Sequence, residues 1–413
     1  MTVERRRSTV RDLRRDNRSV LLWALFVRQP CSRQDLSDAT GLSTASVSNV
    51  TRELISEGIV TEAGLVDSDG GRPRVLLRMN PGYGYVIGVD VGETRVRAEM
   101  FDLTMTVRAT ADYPLDPAEH DVDSMVDRIS ASLARVLADS GVGPAAILGA
   151  GVGVPGVVEQ GPEVLVHAQA YGWDAVPLER LLRPSAGFPL HIENGASTMA
   201  QAELWFGAGR GARRAVVGLI GSGVGASVIT DGSGLGRRTA TSAEWGHMTI
   251  RAGGRACRCG SRGCLEAYVG AEAVLERYGL PLPGGDQESR LAALMALAPA
   301  PAVLDETAFY LGAGIASLIN LFTPERIILG GWAGLMLGER LMPAIREAAR
   351  QHSLRHLFEG TSIELGQLGP DAVALGAASL PIERFLNGTV SGPAGMRDSV
   401  VAAQPPGSAL AAR

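Results

Sequence analysis

The chain has 413 residues, with 39 basic and 44 acidic side chains and a formal net charge of −5. A hydrophobic share of 46% against 20% charged residues supplies enough apolar surface for packed cores and excludes wholesale disorder, and the length allows about two to three domains. Every basic residue is Arg and none is Lys, which excludes chemistry through a lysine amine.

Residues 1–80 hold 13 Arg and 10 acidic residues, while the remainder holds 26 Arg and 34 acidic residues. A small basic module on a larger acidic body fits a nucleic-acid reader joined to a regulatory or catalytic part. Charge alone leaves open a solvated tail around Arg5, Arg6, Arg7, Arg11, Arg14 and Arg15. Apolar spacing at Val20, Leu21, Ala24 and Leu25 predicts a helix from about Asn17 to Arg28, closed by Pro30. Ser32 and Asp35 form a capping pair for a second helix to Ala39, and Gly41 turns the chain. Ser43 caps a third helix to about Glu57, with Val47, Val50 and Leu54 inward. Its outer face carries Thr44, Ala45, Ser48, Asn49 and Arg52, side chains suited to base edges and phosphates. A β-hairpin follows, from Ile59–Val60 through the polar tip 67–74 to Val75–Leu77, with Arg72 and Arg74 at the tip. The pattern is a winged helix-turn-helix over residues 1–80, with operator DNA as partner.

From Tyr83 the texture is α/β. A strand runs from Tyr85 into the turn Asp90-Val91-Gly92-Glu93-Thr94, a second spans Arg95–Met100, a helix covers Val122–Ala138, and Leu148–Val154 is a buried strand. Asp90, Gly92 and Thr94 stand where actin-like sugar kinases place a Mg-coordinating Asp and a phosphate-facing turn. Further on, His247 lies ten positions before Cys257, and Cys257, Cys259 and Cys264 fall within eight residues. Four N/S ligands match a closed tetrahedral Zn²⁺ site, which makes the metal structural. Cys31 reads as a small core residue. Ala308–Leu321 reads as a buried helix before a strand at Ile327–Leu329. No apolar run approaches the roughly 18–20 residues that cross a bilayer, and the Arg-rich start lacks a following apolar segment, so a cytoplasmic protein with no membrane partner is expected.

Cys257-x-Cys259-Gly260-x-x-Gly263-Cys264-x-Glu266 and Glu244-Trp245-Gly246-His247 resemble the signature of the ROK family (repressors, open reading frames, kinases). The segments 151–156, 172–178, 221–225 and 324–331 support the likeness, which spans roughly Tyr85 to Leu380. The resemblance implies two actin/hexokinase-like lobes with a sugar in the cleft between them, and homodimers or homotetramers. It places the lobes at 81–192 and 193–380, with 381–387 packing back on the first and 388–413 as a flexible tail. Carried over by position, the sugar ligands are Asn194, Glu244, His247 and Glu266. Carboxylates and amides suit adjacent hydroxyls, and a metal-bound imidazole can donate through its free nitrogen. Asp90, Gly92, Thr94, Gly221 and Gly223 become a vestigial phosphate site.

Two positions depart from the family's kinases. Gly195 stands where they carry the general-base Asp, a loss that costs roughly 10²–10⁴-fold in rate. Glu93 replaces a Gly of the phosphate turn. The expected function is therefore a sugar-responsive transcriptional regulator, a repressor released from its operator by sugar, and not an enzyme. The alternatives are an ATP-dependent sugar kinase with a DNA-binding appendage, and a scaffold for a sugar-transport protein.

Overall fold

A computed structural model describes residues 10–68, 71–116, 120–231 and 238–389. Three helices open the chain: α1 (Val10–Arg28), α2 (Arg33–Thr40) and α3 (Thr44–Ser56). Ser32 accepts from the Asp35 amide while Asp35 accepts from the Ser32 amide, a reciprocal cap that fixes the start of α2. Gly41, at φ +69°, ends it in the left-handed region. Strands β1 (Cys31–Ser32), β2 (Val60–Ser68) and β3 (Gly71–Met79) form a sheet in the order β1-β3-β2. Leu21, Leu25, Leu36, Val47, Leu54 and Leu77 are fully buried between helices and sheet. Helix α1 begins at Val10, before the expected Asn17, and ion pairs Arg14–Glu53 and Arg18–Glu57 link it to α3. Arg5, Arg6 and Arg7 lie outside the described residues.

The two hairpin strands run further than the sequence suggests. Arg74 is not at the tip: it pairs with Val66 inside β3, and its guanidinium lies 4.0 Å from Asp35. The side chain of Arg72 is outside the described residues.

Next come β4 (Tyr85–Val91), β5 (Arg95–Asp102), β6 (Val107–Pro114), α4 (Val122–Ser140) and β7 (Ile147–Val154). Strands β8 (Val157–Glu159), β9 (Leu165–Ala168) and β10 (Trp173–Val176) make a small antiparallel sheet before α5 (Leu178–Leu182) and β11 (Leu190–Asn194). Beyond α6 (Gly195–Phe206) lie β12 (Ala215–Ile220), β13 (Val224–Asp231) and β14 (Arg238–Ala243). Helices α7 (Glu266–Val269), α8 (Ala271–Tyr278), α9 (Gln287–Ala296) and α10 (Ala302–Phe322) precede β15 (Arg326–Gly330). The described chain closes with α11 (Trp332–His352), α12 (Arg355–Glu359), β16 (Ser362–Leu365) and α13 (Ala372–Leu386).

The two five-stranded sheets share one topology. One runs β6-β5-β4-β7-β11 and the other β14-β13-β12-β15-β16, each an antiparallel meander extended by two parallel strands. Helix α13 returns the chain to the first sheet. Its backbone packs so closely that a Cβ at Gly88 would strike the Ala374 carbonyl, and one at Gly151 the Ala377 carbonyl. The return therefore starts at Ala372 rather than at the expected 381–387, and of the expected tail 388–413 only Gly388 and Thr389 are described.

Among the described residues, one helix is apolar and long enough to cross a membrane by length and composition, where the sequence reading expects no such run. This is α10, and 61% of its apolar window is buried inside the fold.

Helices α6 and α13 pack on each other, with Gly376 against the Thr198 carbonyl. Their far ends hold α1. Trp23 and Trp205 meet edge to face at 4.8 Å, and Phe26 packs on Trp205 and Phe206. Trp23 Nε1 donates to Asn387 Oδ1 at 3.0 Å, and Ser19 Oγ donates to the Leu386 carbonyl at 2.8 Å.

Candidate functional site

Strands β4, β7 and β11 are parallel, so their carboxyl ends open on one edge of the sheet, where α/β folds place their ligands. There, facing the turn after β12, lies a cleft of about 340 Å³. Asp90, Gly92 and Thr94 line it from one side, Gly221 and Gly223 from the other, together with Asn194, Gly195, Glu244, His247 and Glu266. All the expected sugar and phosphate positions thus share one cavity.

Each side chain has its own constraint. Asn194 is the N-cap of α6: its Oδ1 accepts from the Ser197 amide at 3.1 Å, and its Nδ2 donates to the Gly156 carbonyl at 2.6 Å. Gly195 is the first residue of α6, and a Cβ there would meet nothing closer than 3.6 Å, so the site has room for a side chain it does not carry. Burial raises the Glu244 carboxyl, partly offset by His247. Glu266 is buried: one oxygen accepts from the Val224 amide at 2.9 Å and the other from Arg258 Nε at 2.9 Å. Asp90 is pushed up to about 7 by burial, with Arg95 opposing the rise.

The ligand atoms of His247, Cys257, Cys259 and Cys264 all lie within 4.8 Å of one another. Cys257 Sγ is 3.7 Å from His247 Nδ1, and Cys259 Sγ is 3.7 Å from Cys264 Sγ. Three thiols and an imidazole are a donor set that fits a tetrahedral divalent ion. With Nδ1 turned to the cysteines, His247 Nε2 is left on the side of Glu244, whose Oε2 is 4.0 Å away. Gly263, at φ +80°, lies so close to the Arg251 carbonyl that a side chain there would collide with it.

Arg258, between two of the cysteines, is a cleft residue that motif reasoning passed over. Its guanidinium binds both oxygens of Glu93 across the cleft, Nη2 reaching Oε1 at 2.8 Å, while Nε holds Glu266. Burial disfavours its charge, but Glu93 and Glu266 outweigh that and raise its pKa. Glu93 is also held through its backbone, with His120 Nε2 2.9 Å from its carbonyl oxygen. An Arg inside a Cys-rich loop, opposite a Glu where kinases keep Gly, was the available signal. His167 and Trp332 also line the cleft and have no motif.

The other candidate surface is on α3. Thr44, Ala45, Asn49 and Arg52 are exposed on one face, Ser48 is half-buried, and Arg52 Nη1 donates to Asn49 Oδ1 at 3.3 Å.

The family model for ROK matches residues 86–384. A xylose repressor of Caldicellulosiruptor bescii is 29% identical over 91% of this chain and 97% of its own length. A solved ROK family transcriptional regulator, homologous to the Mlc protein of E. coli, superposes with a TM-score of 0.71 at 25% identity, covering 94% of this chain and 99% of that one. A ROK glucokinase from Streptomyces griseus, solved with glucose and AMPPNP, gives 0.61 at 28% identity, over 72% of this chain and 99% of that one.

Proposed function

Because the chain belongs to the ROK family, with the hexokinase-like α/β fold of its regulators and kinases, we propose that it is a sugar-responsive transcriptional repressor whose cleft is a receptor and not a catalyst. In this reading residues 1–80 are a winged helix-turn-helix. It binds operator DNA through Thr44, Ala45, Ser48, Asn49 and Arg52, with Arg72 and Arg74 from the hairpin. Two lobes, the first completed by the returning α13, hold a sugar between them on Asn194, Glu244, His247 and Glu266. His247, Cys257, Cys259 and Cys264 hold a structural Zn²⁺, which fixes the His247 ring and the loop that carries Arg258. The repressor works in the cytoplasm as a homodimer or homotetramer.

The observation that carries the proposal is α6. The helix begins at Gly195, where no side chain is present to take a hydroxyl proton, is capped by the candidate sugar ligand Asn194, and ends in Trp205 and Phe206 against α1. Helix α13 runs beside it, from cleft-lining Val373 to Asn387. A sugar that bears on the cap of α6 therefore bears on a rigid element whose other end seats the DNA module. To release DNA, the sugar must bind more tightly to the state that disfavours it.

Uncoupling tests this. Trp205→Ala is expected to keep sugar binding by calorimetry and operator binding by fluorescence anisotropy, on an operator the protein selects from random duplexes. The effect of sugar on operator affinity, of the order of 5–150-fold in coupled systems, should fall to about 2-fold or less. Asn387→Ala, which removes the acceptor of Trp23, gives a gentler version. Full coupling in both variants contradicts the route through α6.

A further inference from the structure

Resting on the reading of the cleft as a sugar site, we infer that the effector is a neutral, unphosphorylated sugar and that Glu93 is the residue that turns phosphorylated sugars away. The inference starts from the basic side chains. Among the described residues, those lining the cleft are Arg95, His167, His247 and Arg258, and each already faces a partner. Arg95 is 3.7 Å from both Asp112 and Asp371. His167 has Asp174 at 2.9 Å and Glu159 at 3.7 Å. His247 faces Cys257 on one nitrogen and Glu244 on the other. Arg258 is bound to Glu93 and Glu266, with Glu272 at 3.7 Å. Against these stand the carboxylates of Asp90, Glu93, Glu244 and Glu266 on the same walls.

The space a phosphate would need is occupied as well. Above the turn that resembles a phosphate loop, a Cβ at Gly223 would strike Arg258 Nη2 and meet Glu266 Oε2 at 2.7 Å and Glu93 Oε1 at 3.2 Å. The ion pair therefore sits over the backbone that phosphate oxygens would approach. A phosphate ester could gain Arg258 only by stripping it from Glu93, which leaves a partly buried carboxylate beside a dianion. Sugar hydroxyls meet no such penalty, because carboxylates accept from them directly. Glu93 is a specificity-determining residue in this scheme, since its two oxygens take Nη1 and Nη2 of Arg258, the nitrogens an anion would otherwise reach, while Glu266 holds only Nε.

Calorimetry on the full chain with D-xylose, D-glucose and N-acetyl-D-glucosamine, each beside its phosphate monoester, tests the inference. The binding sugar should outbind its ester by roughly 100-fold, equivalent to about 2.7 kcal/mol. In Glu93→Gln the gap should shrink about tenfold or more through a gain by the ester. In Arg258→Gln, where the cation itself is gone, the ester should gain nothing. An ester that binds the unaltered protein as tightly as its parent sugar overturns the inference while leaving the sugar reading intact, and this arm decides even where a variant fails to fold. An unchanged gap in a folded Glu93→Gln overturns the role of Glu93. Heat from none of the six ligands contradicts the sugar reading itself, and the inference falls with it.

Discussion

Cys259→Ser is expected to leave the protein without its metal, lower its melting temperature by about 10 °C and weaken sugar binding at least about tenfold. The size of the effect follows from how the loop is built. Between Met248 and Leu265 the chain has no helix or strand, only the isolated bridges Thr249–Cys264 and Ala256–Arg262 and turn hydrogen bonds such as Cys257 N to the Ser261 carbonyl. The four clustered donors lie among these turns, where a bound ion would tie them together. Structural zinc contributes apparent binding energies of about 10–16 kcal/mol in isolated fingers, part of which survives as folding energy in a larger domain. Burial also pushes the Cys257 thiol up to about 12, so ionising it requires a cation at the site. Arg258 and Glu266 flank the cluster, which is why sugar affinity should fall together with stability. Metal analysis, a thermal melt and calorimetry check the three effects. A metal-free variant with unaltered melting and affinity would show that the loop stands by itself.

Arg52→Ala is expected to weaken operator binding by about 5–150-fold, the range of one lost contact of about 1–3 kcal/mol. Arg52 is exposed on α3 and donates to Asn49 on the same face, so its removal leaves the buried side of the helix untouched. Anisotropy titrations across salt concentrations identify the kind of contact. A phosphate contact lowers the slope of log K against log salt by about 0.9, whereas a base contact leaves the slope and relaxes sequence preference. Sugar affinity should not change. Undiminished operator binding would remove α3 from the interface.

The parts of the fold legible in the sequence were those set by local chemistry. Ser32 with Asp35, Gly41 and Ser43 announce the ends of α2 and α3, and these caps lie within a residue of their expected places. The four N/S donors were legible because ligands of one ion recur at short spacing, and they do converge. What was missed depends on partners far along the chain. The added turns of α1 carry Arg14, whose partner Glu53 lies 39 residues away. Arg258 looked like a loop arginine because Glu93 lies 165 residues before it. Strands β8, β9 and β10 are three or four residues long, too short for alternation to register. Helix α10 looked merely buried, but its apolar length became apparent only when the whole span Ala302–Phe322 formed one helix. The sequence puts Arg74 at a tip because Gly70-Gly71 and Pro73 read as loop, yet Gly71 pairs with Ser68 and Pro73 lies within β3.

The central claim, a sugar receptor with no base at position 195, is tested most directly by one side-by-side titration of the unaltered protein. Sugar is added in the presence of ATP and magnesium while operator anisotropy and ADP are followed together. Operator release at sugar concentrations that yield no ADP above background is the expected outcome. Steady ADP formation that requires the sugar and disappears in Glu244→Gln would make the cleft a kinase and contradict it.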